Sequence, residues 1–198
     1  MPSTSTRPAK SRSPKTPTTT RTSPSSRSGA PSGKLRAVAK RTGAQKTPEQ
    51  VLETEFGGPE TGIFTDGSCD PNPGPGGWGW VWVENGEILD QGNGRELDTT
   101  NNRMELQALI EAFRKLPSDR DLVAYSDSQL CVNTINEWAP GWEKRGWKRK
   151  GGPIKNLELV QELYALALAK PQIELRWIRA HEGARWNEYA DALAAVGA

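Results

Sequence analysis

The chain has 198 residues, with 26 Lys and Arg against 24 Asp and Glu, a net charge of +2 at neutral pH. Eleven of the basic residues fall within the first 46 positions, which hold no acid, so a basic arm precedes a body with 15 basic and 24 acidic side chains, a pattern that points to a polyanionic partner. Two cysteines are too few for a disulfide framework, and no run approaches the roughly 18 apolar residues of a spanning helix, so a disulfide-stapled domain and a helical membrane protein are excluded.

Residues 1–46 are mostly Ser, Thr, Pro, Arg and Lys. Burial there cannot offset the entropy of ordering, so a disordered basic arm is expected over residues 1–57. Its composition also fits an organelle transit peptide, set against a cytoplasmic, soluble protein with Cys69 and Cys131 as free thiols. Thr47-Pro48-Glu49-Gln50 reads as a capping box with Pro at the first helical position, opening a short helix over 48–55 that Gly57-Gly58-Pro59 breaks. The globular domain is placed at 58–198.

Gly62–Ser68 predicts the first strand, ended by Gly67-Ser68, and Pro71–Gly77 an irregular loop. Trp78, Trp80 and Trp82 alternate with Gly79, Val81 and Val83 at the strand period, and Asn85-Gly86 supplies a hairpin turn into Ile88-Leu89. Asn101–Leu116 carries a helical apolar stripe opened by Asn caps, and Leu122–Ser126 is a fourth strand. Ser128–Trp138 reads as a helix, followed by a basic loop with Trp142, Trp147 and Lys148. A helix over 154–169, a fifth strand over 173–178 and a closing helix over 187–196 complete the chain. Strands that first meander and then alternate with helices predict an α/β fold: a mixed five-stranded sheet, antiparallel early and parallel later, flanked by helices.

Four carboxylates stand beside apolar runs: Asp66, Glu105, Asp127 and Asp191. Singly, Asp66 before Gly67 is a turn-former or a ligand, and Asp191 a cap or a solvated acid. Glu105 is more telling, because it shares the helical spacing of Leu109, Ala112 and Leu116 and so faces the sheet, where an unpaired acid is costly. If the strands ending near Asp66 and Asp127 are neighbours, both acids emerge at one end of the sheet. Such a cluster would repel itself by about 4 kcal/mol per close pair at an effective dielectric of 20, and so needs cations. All-oxygen ligation selects hard ions: Mg²⁺, two per site for an in-line phosphoryl displacement, with Mn²⁺ as a substitute. Zinc is disfavoured by a single His and two Cys without ligand spacing. That His, His181, sits in a loop with Gly183, where it is either a surface residue or a proton carrier beside the metals.

Thr65-Asp66-Gly67-Ser68-Cys69 with Asn72-Pro73-Gly74-Pro75-Gly76-Gly77, Thr100-Asn101-Asn102-Arg103-Met104-Glu105-Leu106, Ser126-Asp127-Ser128-Gln129, and His181-Glu182-Gly183 with Asn187-Glu188-Tyr189-Ala190-Asp191 closely resemble the type 1 ribonuclease H family. The resemblance spans residues 62–194 and implies a ribonuclease H-like fold and metal-dependent cleavage of the RNA strand of RNA/DNA hybrids, to 5′-phosphate and 3′-hydroxyl ends. It implies Asp66, Glu105, Asp127 and Asp191 as metal ligands and His181 as the loop histidine. It assigns Asn72, Asn101, Asn102 and Gln129 to the hybrid's minor groove, Thr100 to a DNA phosphate, and Trp138, Trp142, Trp147 and Lys148 to a basic protrusion that grips the DNA strand. Two features depart from the pattern. The protrusion is Gly-rich at Gly151-Gly152 and diluted by Glu143, and the arm lacks the aromatic residues of the folded hybrid-binding module found in many eukaryotic relatives. A monomer is expected. The alternatives are a nuclease or resolvase of the same fold with another substrate, and a hybrid-binding protein without catalysis.

Overall fold

The computed structural model describes residues 45–197, and the arm predicted to be disordered lies, up to residue 44, outside the described residues. Helix α1 (Pro48–Leu52) opens the described chain on the predicted capping box: the Thr47 hydroxyl accepts from the Gln50 amide, and the Gln50 side chain accepts from the Thr47 amide. Strands β1 (Gly62–Cys69), β2 (Gly74–Glu84) and β3 (Glu87–Thr99) follow as an antiparallel meander. Then come α2 (Asn101–Lys115), β4 (Leu122–Ser126), α3 (Gln129–Asn133), a π-helical turn over Thr134–Trp138, α4 (Ala139–Glu143), α5 (Leu157–Ala169), β5 (Ile173–Trp177) and α6 (Arg185–Gly197). The sheet order is β3-β2-β1-β4-β5, with β4 parallel to both β1 and β5, the mixed five-stranded sheet predicted from the order of elements.

The sheet buries both faces. Ile63 and Trp80 belong to one core with Leu109, Phe113 and Leu163 of α2 and α5. Phe64, Val81 and Val83 belong to the other, with Trp186, Tyr189 and Leu193 of α6. The period-two alternation of the tryptophans with valines is thus a division between two cores. Lys170, just past α5, donates to the carbonyls of Phe113 and Leu116 and so closes the C-terminus of α2.

Several predicted boundaries shift, each for a local reason. β1 runs past Gly67-Ser68 to Cys69, because β2 pairs with it through Cys69↔Gly76, so the predicted loop is strand from Gly74 onward. The predicted helix over 128–138 continues to Glu143 by way of the π turn, just ahead of Pro140, which has no N–H to give to the preceding turn. α5 starts three residues late because Asn156, at φ 52°, is left-handed and cannot be helical. The predicted boundary at 57/58 falls inside the packed body: Val51 of α1 is 1% exposed and belongs to the α6-side core.

Candidate active site

Two strands deliver two of the acids. Thr65 of β1 and Ser126 of β4 are partners at the end of the parallel ladder, so Asp66 and Asp127 each follow the last paired residue on neighbouring strands. Asp66 still lies within β1, opposite Gly79 of β2, where the antiparallel ladder continues. The third acid, Glu105, reaches the same point from α2. Its helix lies so close to β1 that a Cβ on Gly67 would come within 2.2 Å of the Glu105 nitrogen, a space only glycine leaves open. Gly79 plays the same part toward α6, where a Cβ would meet the Ala190 carbonyl and the Ala194 nitrogen at 2.6 Å, and this approach brings in Asp191. With α6 starting at Arg185, Asp191 lies in its second turn, which removes the capping alternative.

Asp66, Glu105 and Asp127 each offer a carboxylate oxygen within 4.8 Å of those of the other two. Asp191, 7% exposed, stands beside them, near enough for its charge to act on both Asp66 and Glu105. Burial first, and then the charges of Asp127 and Asp191, holds Asp66 well above the ordinary carboxylate range. Glu105 is raised in the same way, by burial and then by Asp66, Asp127 and Asp191. Asp127 is raised by burial, against the opposing effects of an Asn187 hydrogen bond and the nearby His181.

The donor set fits a hard divalent cation. One oxygen of Glu105, Oε2, is enclosed and has no hydrogen-bond partner among the described residues, an arrangement that a cation would satisfy. Burial, with Glu105 adding to the effect, pushes the nearby Cys131 thiol up to about 12, so it stays protonated and is no soft ligand.

His181 lies outside this cluster, more than half exposed on its loop at φ 53°, with Nδ1 3.1 Å from Glu188 Oε1. Asn72, Thr100, Asn101 and Asn102 line one polar pocket at the start of α2. The cap of α2 is Thr100 and not an Asn; its hydroxyl makes no capping bond, and Asn72 Oδ1 accepts from the Asn101 amide at 3.4 Å instead. Gln129 is exposed at the first position of α3. Of the protrusion residues, Trp138 and Lys148 are exposed. Trp142 is buried, and Trp147 packs edge-on against Tyr164 at 5.9 Å, so these two anchor the segment.

Sequence reasoning missed three residues here. Asn187 is 1% exposed and donates through Nδ2 to Asp127 Oδ2 at 3.3 Å. Lys155 and Asn156 complete the polar pocket. The predicted helix over 154–169 took in Lys155 and Asn156 and so hid them, and nothing in one sequence points Asn187 at Asp127.

The RNase H family model matches residues 59–198. The ribonuclease H of Janthinobacterium sp. (strain Marseille) is 50% identical over 136 residues, 68% of this chain and 93% of the relative. That of Herminiimonas arsenicoxydans is 50% identical over 136 residues, 68% of this chain and 92% of the relative. Among solved structures, LC9-RNase H1, described as a type 1 RNase H with the type 2 active-site motif, matches with a TM-score of 0.59 at 35% identity, covering 73% of this chain and 74% of that one. LC11-RNase H1, solved in complex with RNA/DNA hybrid, matches with a TM-score of 0.51 at 26% identity, covering 68% and 93%. The match takes in every strand and all four acids, and the chain belongs to the type 1 ribonuclease H family of metal-dependent endoribonucleases.

Proposed function

We propose that the chain hydrolyses the RNA strand of RNA/DNA hybrids without sequence specificity, leaving 5′-phosphate and 3′-hydroxyl ends, and acts as a monomer in the cytoplasm. The observation that carries the reading is the convergence of Asp66, Glu105 and Asp127 within 4.8 Å at the end of the parallel ladder. The hybrid in the LC11-RNase H1 structure supports the substrate class. Two buried free cysteines among the described residues, and no described helix long and apolar enough to cross a membrane, fit the compartment.

Asp66, Glu105, Asp127 and Asp191 would hold two Mg²⁺ ions, with Mn²⁺ as a substitute, and bound cations supply the positive charge that favours attack by water and departure of the leaving oxygen. The protein's own groups do the rest. Asn187 fixes the Asp127 carboxylate by its hydrogen bond. Glu188 engages Nδ1 of His181, leaving Nε2 to carry a proton at the mouth of the site. Asn72, Asn101, Asn102 and Gln129 meet the minor groove, where 2′-hydroxyls distinguish RNA from DNA. Thr100, beside Lys155 and Asn156, takes a phosphate of the DNA strand, while Trp138 and Lys148 extend that contact over the anchoring Trp142 and Trp147.

The test is cleavage of an end-labelled RNA/DNA hybrid alongside RNA/RNA and DNA/DNA duplexes of the same sequence, with Mg²⁺, Mn²⁺ or EDTA. Metal-dependent cutting confined to the RNA of the hybrid is expected. Cutting of either homoduplex at a similar rate would overturn the assignment.

A further inference from the structure

Residues 45–58 precede the region matched by the family, yet they are built into the catalytic body. Val51, 1% exposed, belongs to the core that holds Phe64, Trp186 and Tyr189. The chain then turns back on itself, with Lys46 Nζ 4.7 Å from the centre of the Phe56 ring and 3.2 Å from Thr54 Oγ1. Its beginning is tied to α6: the Gln45 side-chain amide donates to Asp191 at Oδ2 (3.0 Å) and at the main-chain carbonyl (3.3 Å).

The far end meets the loop that carries His181. The Gly57 amide donates to the Gly183 carbonyl at 2.8 Å, and the Arg185 amide donates back to the Gly57 carbonyl at 3.0 Å, a parallel bridge opposite Ala184. Gly58 makes this closeness possible. It sits at φ 90°, and a Cβ there would lie 2.9 Å from Ala184 Cα, so both its conformation and its neighbour demand glycine. The loop itself turns on two left-handed residues, His181 at φ 53° and Gly183 at φ 82°, immediately before this bridge. Its exit into α6 is thus held by main-chain bonds from a segment outside the matched family region.

We propose that residues 45–58 form a positioning strap that sets the place of His181 by clamping the exit of its loop, an inference that rests on the proposed hydrolytic reading. Gln45 aside, whose side chain bonds Asp191, the strap acts through the exit of the loop. It acts by keeping a proton carrier where its reach to the cleavage point is short, a condition that small displacements break.

The experiment compares the full chain, a truncation that begins at Ala44 and keeps the strap, and Gly58→Val in the full chain, each with and without His181→Ala. Rates are measured on an RNA/DNA hybrid with Mg²⁺. The Ala44 truncation is expected to keep kcat, and Gly58→Val to lose about tenfold or more in kcat with KM little changed, as for other supporting contacts. In the His181→Ala background the Gly58→Val loss should vanish, because the residue being positioned is gone. Should Gly58→Val not fold, Val51→Ala, which loosens the strap from its buried side, is measured in its place. His181 is the chain's single histidine, so its imidazole gives one NMR signal that reports the loop without any cleavage. That signal is expected to shift or broaden in the strap variant and to stay put in the Ala44 truncation. An unchanged imidazole signal, or an equal kcat loss with and without His181, overturns the strap. Absence of hybrid cleavage by the full chain, by contrast, counts against the hydrolytic reading, and the imidazole signal then decides the strap alone.

Discussion

Gly67 of β1 and Glu105 of α2 touch so closely that a methyl group on Gly67 would sit 2.2 Å from the Glu105 main-chain nitrogen. The contact sets how far α2 stands from the sheet and therefore where the Glu105 carboxylate lies. Gly67→Ala must push α2 outward, because the obstacle is backbone. The expected result is a loss of about 1–3 kcal/mol of stability and a fall in hybrid cleavage of about a hundredfold or more. Thermal unfolding and single-turnover cleavage check it. Near-normal cleavage in Gly67→Ala would mean that Glu105 tolerates displacement and is no metal ligand.

Asp66→Asn should abolish cleavage while hybrid binding without metal is unchanged or slightly tighter. The substitution removes one ligand, and it also removes one negative charge from a site that must accept phosphate. Retention of a tenth of wild-type cleavage in Mg²⁺ would rule out the ligand role.

The raised acids also give a pH signature. Asp66, Glu105 and Asp127 bind protons more tightly when folded than when unfolded, chiefly through burial. The folded state then holds more protons above the ordinary carboxylate range, and stability falls as pH rises from about 4 through the raised values. Metal-free protein should therefore lose Tm across that window, and Mg²⁺ should recover it near neutral pH. Asp66→Asn should flatten the slope, and the difference between the two curves isolates the site from exposed acids elsewhere. Identical pH slopes for wild type and Asp66→Asn, without metal, would contradict the account.

Much of the site was legible from the sequence because local rules place its pieces. Strand patterning put Asp66 and Asp127 at their positions, and helical spacing aimed Glu105 at the sheet. That β1 and β4 are neighbours could be stated only as a condition, since strand pairing across 60 residues is a property of the whole sheet. The supporting residues were harder to read. Asn187 reaches Asp127, and Val51 reaches a core formed by β1, β2 and α6, through contacts that no local pattern announces. Polar composition up to residue 46 made the arm seem to extend to residue 57, whereas one buried valine on a capped turn ties the last part of it to α6. The π turn before Pro140 was likewise hidden, because a proline can end a helix or be absorbed by a change of pitch.

His181→Ala should slow turnover by roughly a hundredfold without eliminating it, because water can replace a proton carrier and cannot replace a carboxylate ligand. Its exposed position, hydrogen-bonded to Glu188 and outside the carboxylate cluster, is the basis for the difference. A loss as complete as that of Asp127→Asn would place His181 within the metal site itself.

The basic arm is expected to contribute to substrate binding by charge alone. Ten of its eleven Lys and Arg precede the strap, and residues 1–46 hold no aromatic residue for stacking, so the expected share of binding is counterion release, which ignores sequence and weakens with salt. If about four of those charges meet phosphates at once, the slope of log K against log salt changes by roughly 3 to 4, and the arm's contribution falls about a hundredfold between 50 and 200 mM salt. The cut must spare the strap, so the informative truncation begins at Ala44. It should show the full chain's kcat and a higher KM at low salt, and the two proteins should converge as salt rises. A low-salt KM that does not move on truncation would instead assign the arm to targeting or to a protein partner, since neither role depends on phosphate charge in the substrate.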